Sequence, residues 1–385
     1  MTICPSEKCF GCGLCVAVCP VKCISLIENV HGELHPSTDE DKCISCGLCQ
    51  KKCPVNSPQE LRYPLEFYAA SKQDSIPADG SSSAGVASLR AALFPGRAFG
   101  TSWSQNHGAI VKCGEPEEFK GSKYVQSIIT PEVFRDISEL SDNSDTIFIG
   151  TPCQVAAVKS FVRKGEHLFT ADLLCHGVCP PSYLKDELKP LLERFPQTTK
   201  VSFRDGNSYR LALTDAKGNM LYSCPAQKQR YFRAFLEGVS LRENCYSCPF
   251  ANKERVSDIT LGDFIVREGQ VSWVSVNSEK GHILLKSIIE QHPELHVEPC
   301  EYEERLAYPY SLLKPFPKSY YRTAFLRAFE KKGYLFAIRK IARIWRVRDT
   351  TKIFYQKIHH AAHLVKKFIS KPLSNAKSQY HSTEL

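Results

Sequence analysis

Cys9-Phe10-Gly11-Cys12-Gly13-Leu14-Cys15-Val16-Ala17-Val18-Cys19-Pro20 recurs as Cys43-Ile44-Ser45-Cys46-Gly47-Leu48-Cys49-Gln50-Lys51-Lys52-Cys53-Pro54. Both copies have the spacing C-x2-C-x2-C-x3-C-P, and Gly13-Leu14 in the first matches Gly47-Leu48 in the second. Four thiolates around a 4Fe-4S cube need three ligands on one tight loop and a fourth from further away, which this spacing supplies. Glycine permits the loop conformation, and successive backbone N–H groups can donate to cluster sulfurs. Structural zinc also favours cysteine pairs, usually two C-x2-C units. It gives no reason for two complete copies, each with a trailing Cys-Pro.

Across almost all of residues 1–60 the segment resembles a bacterial-type two-cluster ferredoxin. In such ferredoxins the fourth cysteine of each run crosses to the other cluster. The resemblance thus implies one set of Cys9, Cys12, Cys15 and Cys53, and a second of Cys43, Cys46, Cys49 and Cys19. Cys4 and Cys23 are left as spare thiols.

Outside these runs, 385 residues leave room for two or more domains with a sizeable core. A composition 43% hydrophobic and 24% charged is that of a globular protein and excludes disordered, collagen-like and coiled-coil classes. No apolar run is long enough to span a bilayer, and Met1-Thr2-Ile3-Cys4-Pro5 has no signal core. Eighteen cysteines in an unexported chain argue for metal ligation over disulfides. The net charge of +9 is uneven. Residues 1–60 carry 5 Lys+Arg against 7 Asp+Glu, and residues 318–385 carry 16 against 3, so a mildly acidic body precedes a basic tail. Three domains are expected: 1–60, 61–317 and 318–385, with Pro-rich stretches at the boundaries. The expected fold is α+β/α/β: the ferredoxin, an α/β domain and a helical basic tail.

Two stretches of the middle segment read as buried parallel strands with cysteines at their carboxyl ends. Thr146–Gly150 is followed by Thr151-Pro152-Cys153-Gln154 and a helix-like stretch, Val155–Lys164. His167–Leu174 is followed by Cys175-His176-Gly177. Open α/β sheets place ligands at that edge, and Cys153 at a helix N-terminus would favour a thiolate. Cys245-Tyr246-Ser247-Cys248-Pro249 adds a C-x2-C, which alone suits zinc, redox chemistry or nothing. With Cys153 and Cys175 it completes a four-thiolate set for a third 4Fe-4S cluster. Alternatively those two are small core residues, and Cys179 is a rival ligand. Cys113, Cys224 and Cys300 have no partner in sequence. Ser81-Ser82-Ser83-Ala84-Gly85 opens a helical pattern and suits either a phosphate or a simple N-cap. Asp263, ending the strand-like Ser257–Phe264, suits a cofactor hydroxyl or a turn cap. His176 is the only general-acid candidate, and equally a structural histidine; no catalytic residue is assigned.

Taken in order, these motifs resemble the coenzyme F420 hydrogenase/dehydrogenase beta subunit family over about residues 65–290. The matching stretches are Ser81–Gly85, Ile149–Gln154, Asp172–Gly177, Phe203-Arg204-Asp205, Cys245–Cys248 and Asp258–Phe264. The family's Ser-Gly-Gly is Ser83-Ala84-Gly85 here. The resemblance implies FAD, with Ser81, Ser82, Ser83 and Gly85 at its phosphate and Asp263 at a hydroxyl. It also implies a 4Fe-4S cluster on Cys153, Cys175, Cys245 and Cys248. The expected function is an FAD-dependent iron–sulfur oxidoreductase. It would pass electrons between an external one-electron donor or acceptor, the clusters, FAD and a small-molecule substrate, because flavin exchanges one or two electrons. The alternatives are a non-catalytic electron-transfer subunit wiring a partner enzyme, and a zinc-stabilised interaction protein.

In the tail, Ile338, Ile341, Ala342 and Trp345 recur at helical spacing among Arg339, Lys340, Arg343 and Arg346. Phe354, Ile358, Ala361, Val365 and Phe368 follow a similar period. Such a basic amphipathic helix suits docking on an anionic membrane or a partner protein, or a helical hairpin packed on the body. No nucleic-acid recognition motif accompanies the charge. The expected location is cytoplasmic, with the inner membrane surface open to the tail.

Overall fold

The computed structural model describes residues 2–72, 97–205, 208–264, 271–307 and 313–369, with side chains as far as Thr351. It forms two compact units, residues 1–338 and 339–385. The first unit begins with α1 (Leu14–Ala17), the antiparallel hairpin β1 (Ile24–Glu28) and β2 (Leu34–Thr38), and α2 (Leu48–Lys52). Next come β3 (Glu66–Lys72), β4 (Ala98–Trp103), β5 (Ala109–Gly114), α3 (Pro131–Ser141), β6 (Thr146–Gly150), α4 (Pro152–Phe161), β7 (Leu168–Leu173) and α5 (Pro181–Arg194). A three-stranded antiparallel meander of β8 (Lys200–Asp205), β9 (Ser208–Thr214) and β10 (Met220–Pro225) precedes α6 (Arg230–Leu236). The unit continues through β11 (Ile259–Asp263), β12 (Val271–Val276), α7 (Glu279–Gln291), β13 (Leu295–Pro299) and α8 (Tyr302–Leu306).

The main sheet has eight strands in the order β13-β3-β12-β11-β7-β6-β4-β5. Strands β4, β6, β7 and β11 are mutually parallel, and β12 is antiparallel to both β11 and β3. Strands β3, β4, β6, β7 and β11 therefore all end at one edge, at Lys72, Trp103, Gly150, Leu173 and Asp263. The expected strand at Thr146–Gly150 is observed, buried at every position, as befits a central parallel strand covered on both faces. Its alternation sorts the core. Ile147 and Ile149 join Leu284, Leu285 and Ile288 of α7 on one face. Phe148 joins Phe134, Ile137, Val155 and Val158 of α3 and α4 on the other.

Phe10 and Leu14 of the cysteine-rich segment belong to this second cluster. The segment is therefore built into the helical layer of the body instead of hanging from a linker. The helix expected at Val155–Lys164 runs from Pro152 to Phe161. Proline has no N–H to lose and a φ suited to the first helical position, so the helix starts three residues early. Cys153 consequently lies inside the first turn. Ser257–Phe264, read as an alternating strand, contains β11, which is buried on both faces because it lies in the middle of the sheet.

The last helix, α9 (Arg322–Ile369), breaks at Lys332 and Gly333, where Gly333 takes φ 71°. In the second unit this helix buries Ile341 and Trp345 and exposes Arg339, Lys340, Arg343 and Arg346, in keeping with the helical period of the sequence. Among the described residues no helix is long and apolar enough to cross a membrane.

Candidate functional site

The two N-terminal cysteine runs fold into two separate cavities. One, of about 360 Å³, is lined by Cys9, Cys12, Cys15 and Cys53. The other, of about 330 Å³, is lined by Cys43, Cys46, Cys49 and Cys19. Each cavity thus takes three thiols from one run and the last thiol of the other. Tight turns make this geometry. Gly11 and Ser45, at equivalent places in the two copies, take φ 61° and 52°, and Gly13 and Gly47 take 82° and 69°. Only the first copy requires glycine on steric grounds. A Cβ on Gly11 would lie 2.8 Å from Leu34 O and 2.9 Å from both Arg242 Nη2 and Gln126 Nε2. The second copy is the more open, with Cys46 exposed.

Cys4 and Cys23, expected as spare thiols, line these same cavities. Cys23 Sγ stands 3.5 Å from Cys19 Sγ. The neighbouring Cys4 thiol and, with a smaller contribution, His35 draw the Cys9 thiol down against the effect of burial.

A third cavity, of about 660 Å³, lies at the carboxyl edge of the main sheet and is lined by Cys153, Cys175, Cys245 and Cys248. Three loops deliver these thiols. Cys153 follows β6 in the first turn of α4. Gln154 accepts from the Thr151 N–H (3.1 Å), and its amide donates to Ser127 O (3.1 Å) and Oγ (2.9 Å), pinning that turn. Replacing this buried glutamine by alanine should cost about 1–3 kcal/mol in urea unfolding, because the Thr151 N–H and Ser127 groups lose their partner.

Cys175 follows β7, and its Sγ accepts from the Gly177 N–H at 3.4 Å, as Cys9 Sγ does from the Gly11 N–H at 3.4 Å. Gly177 takes φ 108°, and a Cβ there would lie 2.9 Å from Leu241 Cδ1 and 3.5 Å from Cys245 Sγ. Cys245 and Cys248 sit on and just after a 3-10 turn, Glu243–Ser247. This turn is tied to the Cys175 loop by the Arg242 N–H on Val178 O (2.9 Å).

Arg255 and Asp172, fully buried at 2% and 0% exposure, form an ion pair at 2.8 Å. Arg255 also donates to Phe250 O (2.9 Å) and Thr260 Oγ1 (3.0 Å), so it clamps the segment after Cys248 to the end of β7. Burial and mutual repulsion push the four thiols up, Cys175 to about 12 and Cys248 to about 11. The thiols therefore need added positive charge before they can act as thiolates. Arg255 and Arg242 supply part of it, Arg255 acting on Cys175 and Cys248 and Arg242 on Cys153. Such a donor set suits iron. Among the described residues no three His, Cys, Asp or Glu side chains converge tightly enough for a single ion. The thiols ring cavities instead.

Cys12 and Phe10 line both this cavity and that of the Cys9 set. Sequence reasoning missed this shared wall, as it missed Gln126, Arg242 and Arg255. Arg242, three residues before Cys245, and Asp172, three before Cys175, were the available signals. Cys179, the rival ligand, is fully buried with its Sγ 3.2 Å from Ser240 Oγ, and it does not line the cavity. His176 lines it, packed 4.1 Å from the Phe316 ring and 4.5 Å from that of Phe235. Burial lowers its pKa to about 4, so the ring is neutral near pH 7, with Nδ1 lacking a hydrogen-bond partner among the described residues. Asp263 ends β11 at the same sheet edge, within the field of Arg204. Ser81, Ser82, Ser83 and Gly85 lie outside the described residues.

Comparison with known proteins bears on both halves of the first unit. Residues 8–57 match the family model of the 4Fe-4S dicluster domain. Residues 144–301 match the family model for the carboxyl terminus of the coenzyme F420 hydrogenase/dehydrogenase beta subunit, a span holding Cys153, Cys175, Cys245 and Cys248. No curated protein matches this chain. A chain in the structure of the xenon-derivatised F420-reducing NiFe hydrogenase complex from Methanosarcina barkeri aligns with a TM-score of 0.44 and 13% identity. The alignment covers 74% of this chain and 93% of that one.

Proposed function

We propose that this chain, in which a 4Fe-4S dicluster domain at residues 8–57 precedes a coenzyme F420 hydrogenase/dehydrogenase beta-subunit module at 144–301, is an iron–sulfur flavoprotein oxidoreductase. Cys9, Cys12, Cys15 and Cys53 would hold one 4Fe-4S cluster, Cys43, Cys46, Cys49 and Cys19 a second, and Cys153, Cys175, Cys245 and Cys248 a third. Ser81, Ser82, Ser83, Gly85 and Asp263 would hold FAD. The clusters supply one-electron chemistry and the flavin joins it to two-electron chemistry on a small organic acceptor.

The observation that carries this reading is the third cavity, where four thiols from three loops share a wall, Cys12, with the neighbouring set. The residues order the route. Cys46 opens the outermost set to a one-electron partner, Cys12 joins the middle set to the innermost, and the innermost lies at the sheet edge where β11, the neighbour of β7, ends in Asp263. The Ser81–Gly85 stretch follows β3, whose carboxyl end is at that edge. Arg255 and Gln154 hold the loops of the innermost set in register. His176, a neutral ring whose Nδ1 has no partner among the described residues, would receive an N–H or O–H from a ligand.

Anaerobic purification followed by iron, sulfide and flavin analysis tests the assignment. Expected are ~12 iron atoms, matching sulfide and one FAD per chain; zinc without sulfide would sink it. A second reading, an electron-transfer subunit serving a partner enzyme, rests on the same cavities. Hydride exchange between the isolated chain and candidate acceptors separates the two, since a pure wire shows none.

A further inference from the structure

Taking a guanidinium out of water costs several kcal/mol unless an opposite charge answers it. Two buried arginines of the body meet this condition directly. Arg255 pairs with Asp172 at 2.8 Å, and Arg322 pairs with Glu33 at 3.3 Å. Arg242, 0% exposed, makes no direct ion pair among the described residues. Its Nη2 donates to Cys9 O (3.1 Å) and Leu34 O (3.1 Å), its Nη1 to Gln126 Oε1 (3.0 Å) and its Nε to Asn244 Oδ1 (3.3 Å). All four acceptors are uncharged. Glu33 lies within its field, and Arg242 acts on that carboxylate ahead of Arg322, but the carboxylate's own contacts are with Arg322 (3.3 Å), the Glu243 N–H (3.0 Å) and His35 Nε2 (3.6 Å).

The position of Arg242 explains the cost. Its side chain lines the cavity of Cys153, Cys175, Cys245 and Cys248, while its Nη2 rests on the carbonyl of Cys9 in the adjoining set. A thiolate-ligated 4Fe-4S cube is anionic in both oxidation states and more so when reduced. A fixed cation between two such groups, with little water to screen it, favours the reduced state of each.

We propose that Arg242 is the shared counter-charge of the two inner thiol sets, raising both reduction potentials together so that an electron passes between them on nearly level ground. This rests on the three-cluster reading. Arg242 is a positioning residue for charge and touches no substrate.

The test is a redox titration of the full-length holoprotein followed by electron paramagnetic resonance, with iron counted on every sample. Arg242→Gln removes the charge. Asn244→Asp keeps the arginine and sets a carboxylate against its Nε. Both should lower the reduced-to-oxidised ratio of the two inner clusters about tenfold at fixed potential, or about 59 mV for a one-electron couple. The outer cluster, on Cys43, Cys46, Cys49 and Cys19, should keep its potential. Arg242→Lys should restore the inner potentials to near wild type. Unshifted inner potentials in variants that retain their iron would overturn the proposal, as would an equal shift of all three clusters. If Arg242→Gln loses iron, Asn244→Asp alone decides. About eight iron atoms in the wild type would instead overturn the three-cluster reading beneath it.

Discussion

Replacing Cys245 and Cys248 together by serine should leave a chain holding about eight of ~12 iron atoms, with the spectra of the remaining clusters preserved. The two thiols lie on and just after one turn and form half of the four-thiol set proposed for the third cavity, so their loss leaves Cys153 and Cys175 unable to complete four ligands. The N-terminal sets occupy cavities of their own and should be untouched. Cys12→Ser should behave differently, because Cys12 lines two cavities. About four iron atoms should be lost from the Cys9 set, and the resonance spectrum of the third cluster should change although its ligands remain. Iron and sulfide analysis with low-temperature resonance checks both variants. Full iron retention in the double variant would show that those thiols are not ligands. Substitution by Cys179 is blocked by its burial against Ser240, away from the cavity.

Arg255→Met should be the most destabilising single change at the site, costing about 3–5 kcal/mol, because it strands Asp172 as an unpaired charge in the core. Asp172 has Arg255 as its ion partner, and its Oδ2 already lacks a hydrogen bond among the described residues. Asp172→Asn with Arg255→Met should lie closer to wild type than Arg255→Met alone, since no lone charge is left behind. Urea unfolding of the anaerobic protein measures the cycle. The arginine also joins the segment after Cys248 to the strand before Cys175. The single variant should therefore lose iron from the third site at lower urea than from the N-terminal sites. A change under about 1 kcal/mol with iron release unaltered would show that the pair does not organise the site.

Legibility from sequence followed distance along the chain. Thr146–Gly150 was readable as a buried strand because an apolar run bounded by turn residues is a local signal. The start of the following helix was less readable, since the N1 preference of Pro152 competes with its usual role as a breaker. The Ser81–Gly85 stretch and its phosphate remain a proposal from resemblance. The spare roles given to Cys4 and Cys23 show the opposite limit, for nothing in their spacing says that they line the cavities of their neighbours.

By itself the sequence determined the two cysteine runs, their shared ligand chemistry and the strands that lead to Cys153 and Cys175. All of these depend on what a few consecutive residues can reach. Only the tertiary structure decided that Cys175 and not Cys179 faces Cys245, that Cys12 walls two cavities, and that Arg242 lies between them. These relations join residues as much as 233 positions apart, as Arg242 and Cys9 are. They follow from strand order in the eight-stranded sheet and from Phe10 and Leu14 packing into its helical layer. Burial there removes water, and it strengthens the field that the Arg242 guanidinium, without a direct ion pair among the described residues, exerts on the Cys153 thiol.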